Sequence, residues 1–201
     1  QMCIRDSTNL GSVPGSANTN ITMSSGAALL VSGQTAAFTI NANRNIVLGT
    51  GGGSIRNANT TYAVTIGGVI SGASNALNIN TGSNVGTVIL SGVNTYSGST
   101  TISAGTLALS GSGAIASSSG VSNSGNFDIS ATTSGASVKS LFGTGTTALG
   151  AKALTITAAA GELIGNISGA GGSIFISGGS QVLSGSNTYS GGTTISGGTL
   201  S

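Results

Sequence analysis

The residues of this chain that can do chemistry are its many Ser and Thr hydroxyls, two carboxylates in its body and five scattered cations. Ser-His-Asp and Cys-His catalysis both need an imidazole to take the nucleophile's proton, and the chain has no His. Its hydroxyls therefore read as turn and ladder material. Paired-carboxylate hydrolysis needs two acids within about 10 Å. Beyond Asp6 the only acids are Asp128 and Glu162, a pair rather than a cluster. Calcium-binding solenoid repeats follow G-G-x-G-x-D, and no Asp recurs in that frame. Gly51-Gly52-Gly53 follows a strand-like run but opens no helix and brings no Lys, so it reads as a turn rather than a phosphate cradle. The expectation is a protein that is not an enzyme and holds no metal or cofactor.

Partners are bounded in the same way. Arg5, Arg44, Arg56, Lys139 and Lys152 leave a net charge of only +2. Nucleic-acid recognition needs clustered cations, with aromatics where single strands stack, so none is expected. Cys3 is the sole cysteine, which excludes an intrachain disulfide. A chain without bridges suits passage through a membrane in the unfolded state. No apolar run reaches the roughly 18 residues of a membrane span and no signal peptide opens the sequence. A targeting segment for export is expected outside it.

The elements that must position these groups are short. Ala37–Ile40, Tyr62–Ile66, Ala76–Ile79, Thr87–Leu90, Thr106–Leu109, Asn126–Ile129, Ala153–Thr157 and Ser173–Ile176 alternate apolar and polar residues, the period of half-buried strands. Gly, Ser and Asn fill the gaps, which is turn chemistry. Helical spacing is missing, and Thr157–Ala160 is too short for more than one helical turn. The fold class is all-β. Charged residues are 4% and aromatics 3%, too few for the outer and inner faces of an ordinary sandwich or barrel. The apolar set of Ala, Val, Ile and Leu suits a narrow core stacked in rows.

Residues Gln1–Ser7 (QMCIRDS) stand apart, holding the only Cys and two charges. They resemble translated sequencing-adapter sequence and are read as a non-native segment, with residues 8–201 as the fold proper. At the other end Ser201 falls inside a repeat, so the chain reads as a fragment without its caps.

Internal repetition selects among all-β architectures. Leu90–Leu107 reads LSGVNTYSGSTTISAGTL and Leu183–Leu200 reads LSGSNTYSGGTTISGGTL, an offset of 93 with 15 of 18 positions identical. The exceptions are Val93/Ser186, Ser99/Gly192 and Ala104/Gly197. Upstream, Ile70-Ser71-Gly72-Ala73 recurs as Ile167-Ser168-Gly169-Ala170 at an offset of 97, giving related units at about 70–109 and 167–201. Units that bury their faces only against neighbours make a solenoid.

The pattern LSGxNTYSGxTTIxxGTL resembles the passenger-associated repeat of autotransporters, the type V secretion proteins. ANRNIVLGTGGGSI (Ala42–Ile55) and FDISATTSGASVKSL (Phe127–Leu141) resemble the sequence between such repeats. The resemblance implies a right-handed parallel β-helix, a bacterial cell-surface or extracellular location reached through the periplasm, and a C-terminal β-barrel translocator as partner. It implies a structural stalk that aids its own export and folding and displays the passenger. The alternative is an adhesin solenoid, two-partner-secreted or free, touching host, surface or neighbouring-cell ligands. An ice-binding solenoid ranks third, because Thr-x-Thr, as at Thr155-Ile156-Thr157, does not recur in every coil.

In a parallel coil each residue stacks about 4.8 Å above its equivalent, so like charges repel while Asn and Thr can form ladders. Asn94, Asn187, Thr100, Thr101, Thr193 and Thr194 are the candidate ladder residues. Ile102, Ile195, Leu107 and Leu200 are expected to point inward, and Gly98, Gly105, Gly191 and Gly198 to turn corners. Leu90, Gly92, Tyr96, Leu183, Gly185 and Tyr189 complete the repeat's structural set, with the tyrosines either at a corner or outside. At roughly 20–25 residues per coil the chain makes about eight to ten coils. Uncapped ends expose strand edges, and self-association in isolation is expected.

Overall fold

The computed structural model describes residues 10–201, together with the backbone of residues 2–4. The adapter-like reading of Gln1–Ser7 falls largely outside these residues; the backbone of Met2–Ile4 runs parallel to Ala27–Val31. Within the described residues the elements are strands, and their ladders are parallel. They form a β-solenoid of about eight turns.

Three faces make the coil. On the first, Ala27–Val31, Gly53–Asn57, Leu77–Ile79, Thr100–Ile102, Val121–Asn123 and Leu141–Phe142 stack in chain order. A single bridge, Gly143 to Leu163, carries that column on into Ala159–Leu163, Gly179–Leu183 and Thr199–Leu200. On the second face lie Phe38–Ile40, Val64–Ile66, Thr87–Leu90, Thr106–Gly111, Asn126–Thr132, Thr146–Ala148 and Ile167–Ser168. The third face holds Asn18–Met23, Arg44–Leu48 and Ile70–Ser71. After an interruption it resumes with Ala136–Val138, Ala153–Ile156, Ser173–Ile176 and Thr193–Ile195. The stretch Thr157–Ala160 is not a helical turn: its last two residues open a strand.

Register fixes the coil length. On the first face Leu29 stacks on Ile55, Ile55 on Ile79, Ile79 on Ile102 and Ile102 on Asn123, steps of 26, 24, 23 and 21 residues. From Gly143 to Leu163 to Leu183 the step settles at 20. The longer early coils carry their extra residues in corners such as 58–63 and 80–86.

Period two sends alternate side chains inward. Ile40, Ile55, Ile66, Ile79, Leu90 and Ile102 are fully buried. The core is not purely aliphatic, however: Tyr96 and Phe127 are the largest fully buried side chains. Phe127 fits because its stacking neighbours are Leu107 and Thr147, so one small residue gives up the space the ring needs.

A corner between the first and second faces is lined with buried amides. Asn57, Asn80 and Asn123 are fully buried. Asn80 Oδ1 accepts from Asn57 N (2.8 Å), and its Nδ2 donates to the carbonyls of Gly86 (2.5 Å) and Ala104 (3.3 Å). Asn57 Nδ2 donates to Tyr62 O and Thr87 O, and Asn123 Nδ2 to Thr146 O. A buried backbone polar group without a partner is costly, and these amides take up the groups freed where strands end. Sequence reading assigned none of the three. Their signal was an Asn closing a short strand-like run just before a turn, one that contains Gly after Asn80 and Asn123 but not after Asn57.

Candidate functional site

The repeated 18-residue segment joins successive coils. In its first copy Asn94 is buried. Its Oδ1 accepts from Ile70 N in the coil before (2.8 Å), and its Nδ2 donates to Ala114 O in the coil after (3.0 Å). Asn187 repeats the first contact, accepting from Ile167 N at 2.9 Å. The side chains thus bond to main chain of adjacent coils rather than to each other. Ser97 Oγ accepts from Ser74 N and Ser190 Oγ from Gly171 N. Thr95 N and Thr188 N donate to the carbonyls of Ile70 and Ile167.

The tyrosines do not stand outside: Tyr189 is half-buried against the core, and Tyr96 goes further. Tyr96 is fully buried, with its hydroxyl 2.7 Å from Thr100 Oγ1. Thr100 in turn lies 2.9 Å from Ser118 Oγ of the next coil, and Ser118 donates to Gly98 O. Tyr189 and Thr193 make the same contact at 2.6 Å in the second copy. Thr100 points inward, so Thr101 faces outward, half-buried. In the last coil Thr193, Thr194 and Ile195 are all exposed, Ile195 by 48%, whereas Ile102 and Leu107 are buried. Leu90 is buried; Leu183 and Leu200 are half-buried.

The glycines divide into two roles. Gly105 and Gly198 have φ of +61° and +82°, a backbone shape that L side chains rarely adopt. Gly98 and Gly191 are needed for close approach: a Cβ on Gly98 would lie 2.2 Å from Asn75 C and O, and one on Gly191 2.4 Å from Gly171 O. Gly92 and Gly185 pack in the same way over Gly68 O and Gly165 O.

Two measurements follow from these contacts. Asn94→Ala strands Ile70 N in a buried setting, while Ala114 O keeps its bond from the backbone N of residue 94. The substitution is expected to cost about 1–3 kcal/mol by urea unfolding. Asn187→Ala, in the half-open last coil, is expected to cost less than half of that. Burial pushes the Tyr96 phenol well above its ordinary range, with the Thr100 hydrogen bond opposing. The unfolded chain ionises near pH 10, so this contribution is intact below that pH and is lost as pH rises above it. The expected loss approaches about 1.4 kcal/mol per pH unit. Tyr96→Phe is expected to flatten that alkaline fall, read as urea midpoints between pH 9 and 11.5.

The two copies do not lie on the same side of the molecule. Thr100–Ile102 is on the first face and Thr106–Leu109 on the second; Thr193–Ile195 is on the third and Thr199–Leu200 on the first. Four whole turns carry Ile102 to the level of Leu183, and two further faces complete the offset. The same local contacts therefore form on a different face.

The remaining candidates for chemistry are apart. Asp128 lies on the second face, accepting from Ser130 N at 2.8 Å, and Glu162 on the first, where its carboxylate accepts from Ser184 Oγ. Gly51 and Gly52 are turn residues with positive φ. Among the described residues no group of three His, Cys, Asp or Glu side chains is placed to hold a metal, and no helix is long and apolar enough to cross a membrane.

Comparison with curated proteins and with solved structures gives no match. The passenger-associated-transport-repeat family matches twice, over residues 81–109 and 172–201. These are the two segments whose Asn, Tyr, Thr and Gly residues fasten one coil to the next. The chain is thus a parallel β-solenoid carrying two passenger-associated-transport repeats, the repeat of autotransporter passengers.

Proposed function

We propose that this chain is a non-enzymatic stalk of an autotransporter passenger, which promotes its own folding outside the outer membrane and displays the passenger at the cell surface. The observation that carries the reading is which residues the two copies share. Asn94, Tyr96, Gly98, Thr100, Ile102 and Leu107 are buried or pressed against the next coil, and all recur in the second copy. Two of the three differing positions in the first copy, Val93 and Ser99, are exposed. A repeat that served to bind a ligand along one stripe would keep its surface residues and its face. This one keeps exposed Thr95 and Ser97, as Thr188 and Ser190, but does not keep its face.

Coil-by-coil docking is also the property an exported chain needs. Each coil contacts its neighbours, so folding propagates from one end on a template already formed. A folded segment outside the membrane cannot slide back through a pore that passes only extended chain.

The reading requires a translocator in the parent protein. Sequencing the source reading frame onward from Ser201 is expected to show about 250–300 codons of apolar-out, polar-in strands, the mark of an outer-membrane barrel. A frame that closes without a barrel would overturn the autotransporter assignment and move the adhesin solenoid to first place.

A further inference from the structure

The interruption of the third face leaves a binding slot. Ser110 and Gly111 pair with Ala131 and Thr132, and Thr133 N donates to Gly111 O at 2.8 Å. Beyond that point the two rungs part. Among the described residues no backbone hydrogen bond joins segment 112–116 to segment 134–138. A groove of about 320 Å³ runs between them, lined by Gly111, Gly113, Ala116, Ser134, Gly135 and Ser137 among others.

The wall formed by Ala136–Val138 is the edge strand of its four-stranded sheet. In a parallel ladder, alternate residues turn their N–H and C=O to opposite neighbours. Val138 O accepts from Thr157 N (3.0 Å), and Ala136 and Val138 stack on Leu154 and Ile156, so both address the strand Ala153–Ile156. Ser137, between them, turns its backbone donor and acceptor into the groove.

The lining has no charge and no aromatic ring, so it offers neither an ion site nor a stacking platform for a sugar. It offers main-chain hydrogen bonds and small side chains that let another backbone come close. We propose that this groove takes an extended segment of a partner polypeptide, which adds as a strand against Ala136–Val138. The inference does not depend on how the protein is exported.

The test is amide hydrogen exchange by NMR on the whole 201-residue chain. In the free protein the Ser137 amide is expected to exchange at least about tenfold faster than Val138. The probe is acetyl-ALTIT-amide, the sequence of residues 153–157, which already pairs with this strand from its other side. It should slow Ser137 exchange, whereas the same peptide N-methylated at alternate residues should not. Ala116→Trp, at an exposed lining position, should abolish the effect while leaving core amides protected. Protection of Ser137 in the free chain would overturn the proposal. So would equal action of the two peptides, or no effect at millimolar peptide. Binding of a maltohexaose probe in the groove, with the peptide inert, would assign the slot to glycans and overturn it as well.

Discussion

Ile102→Asp is expected to break the solenoid in two. Ile102 is fully buried and stacks between Ile79 below and Asn123 above. The substitution removes a core side chain, worth about 2–5 kcal/mol, and places a carboxylate where water cannot follow, adding several more unless it takes up a proton. That total rivals the whole stability of an ordinary domain, about 5–15 kcal/mol. Because each coil packs chiefly on its neighbours, the damage stays local. Limited proteolysis should cut near residues 90–110 and leave the flanking coils resistant. In the parent protein displayed on cells, the variant should accumulate in the periplasm. Ile195→Asp is the informative control: its position is the same in the repeat but 48% exposed in the last coil, and its cost in this chain should be under about 1 kcal/mol. Equal resistance of the Ile102 variant and the wild type would refute the stacking account.

Gly98→Ala is expected to be nearly as damaging, from a single methyl group. The new Cβ would sit 2.2 Å from two backbone atoms of Asn75, and backbone in the coil beneath cannot rotate aside as a side chain can. The coils must separate, which costs about 3 kcal/mol or more as an overpacking defect with broken ladder bonds. Gly15→Ala, where nothing lies within 4 Å of the new carbon, should be neutral or slightly stabilising through reduced freedom of the unfolded chain. Gly191→Ala should fall between them, because the last coil is free to move outward. A urea midpoint for Gly98→Ala within error of wild type would show that the coils are not pressed together here.

Much of this architecture was legible because one signal, the alternation of apolar and polar residues, reports directly on a strand with one buried face. Thr87–Leu90 and Ser173–Ile176 are strands over the residues so expected, and the turn at Gly51–Gly52 has the positive φ that glycine supplies. The tyrosines were harder. A phenol with few aromatic neighbours in sequence looks like a surface residue, and only the hydroxyls of Thr100 and Ser118, four residues on and in the next coil, make burial of its oxygen affordable. The corner amides were missed for a related reason: Asn57, Asn80 and Asn123 fall in stretches of differing length, so no fixed period links them until the coils are stacked. Coil length itself varies from 26 to 20 residues, which blurs any single repeat in the sequence. The groove beside Ser137 left no trace in composition, because it is made by an absent pairing rather than by a residue type.

That the fastening segment works on more than one face bears on how such a rod can change its reach. If a motif had to return to the same side, insertions and deletions would have to come in whole turns of 20 residues. Here the two copies differ by four turns and two faces and still form the same contacts. Lengthening by a strand and a corner, about a third of a turn, is therefore compatible with the next motif closing properly. Duplication within the gene can then extend the rod in fine steps, each moving a surface feature around the axis as well as along it.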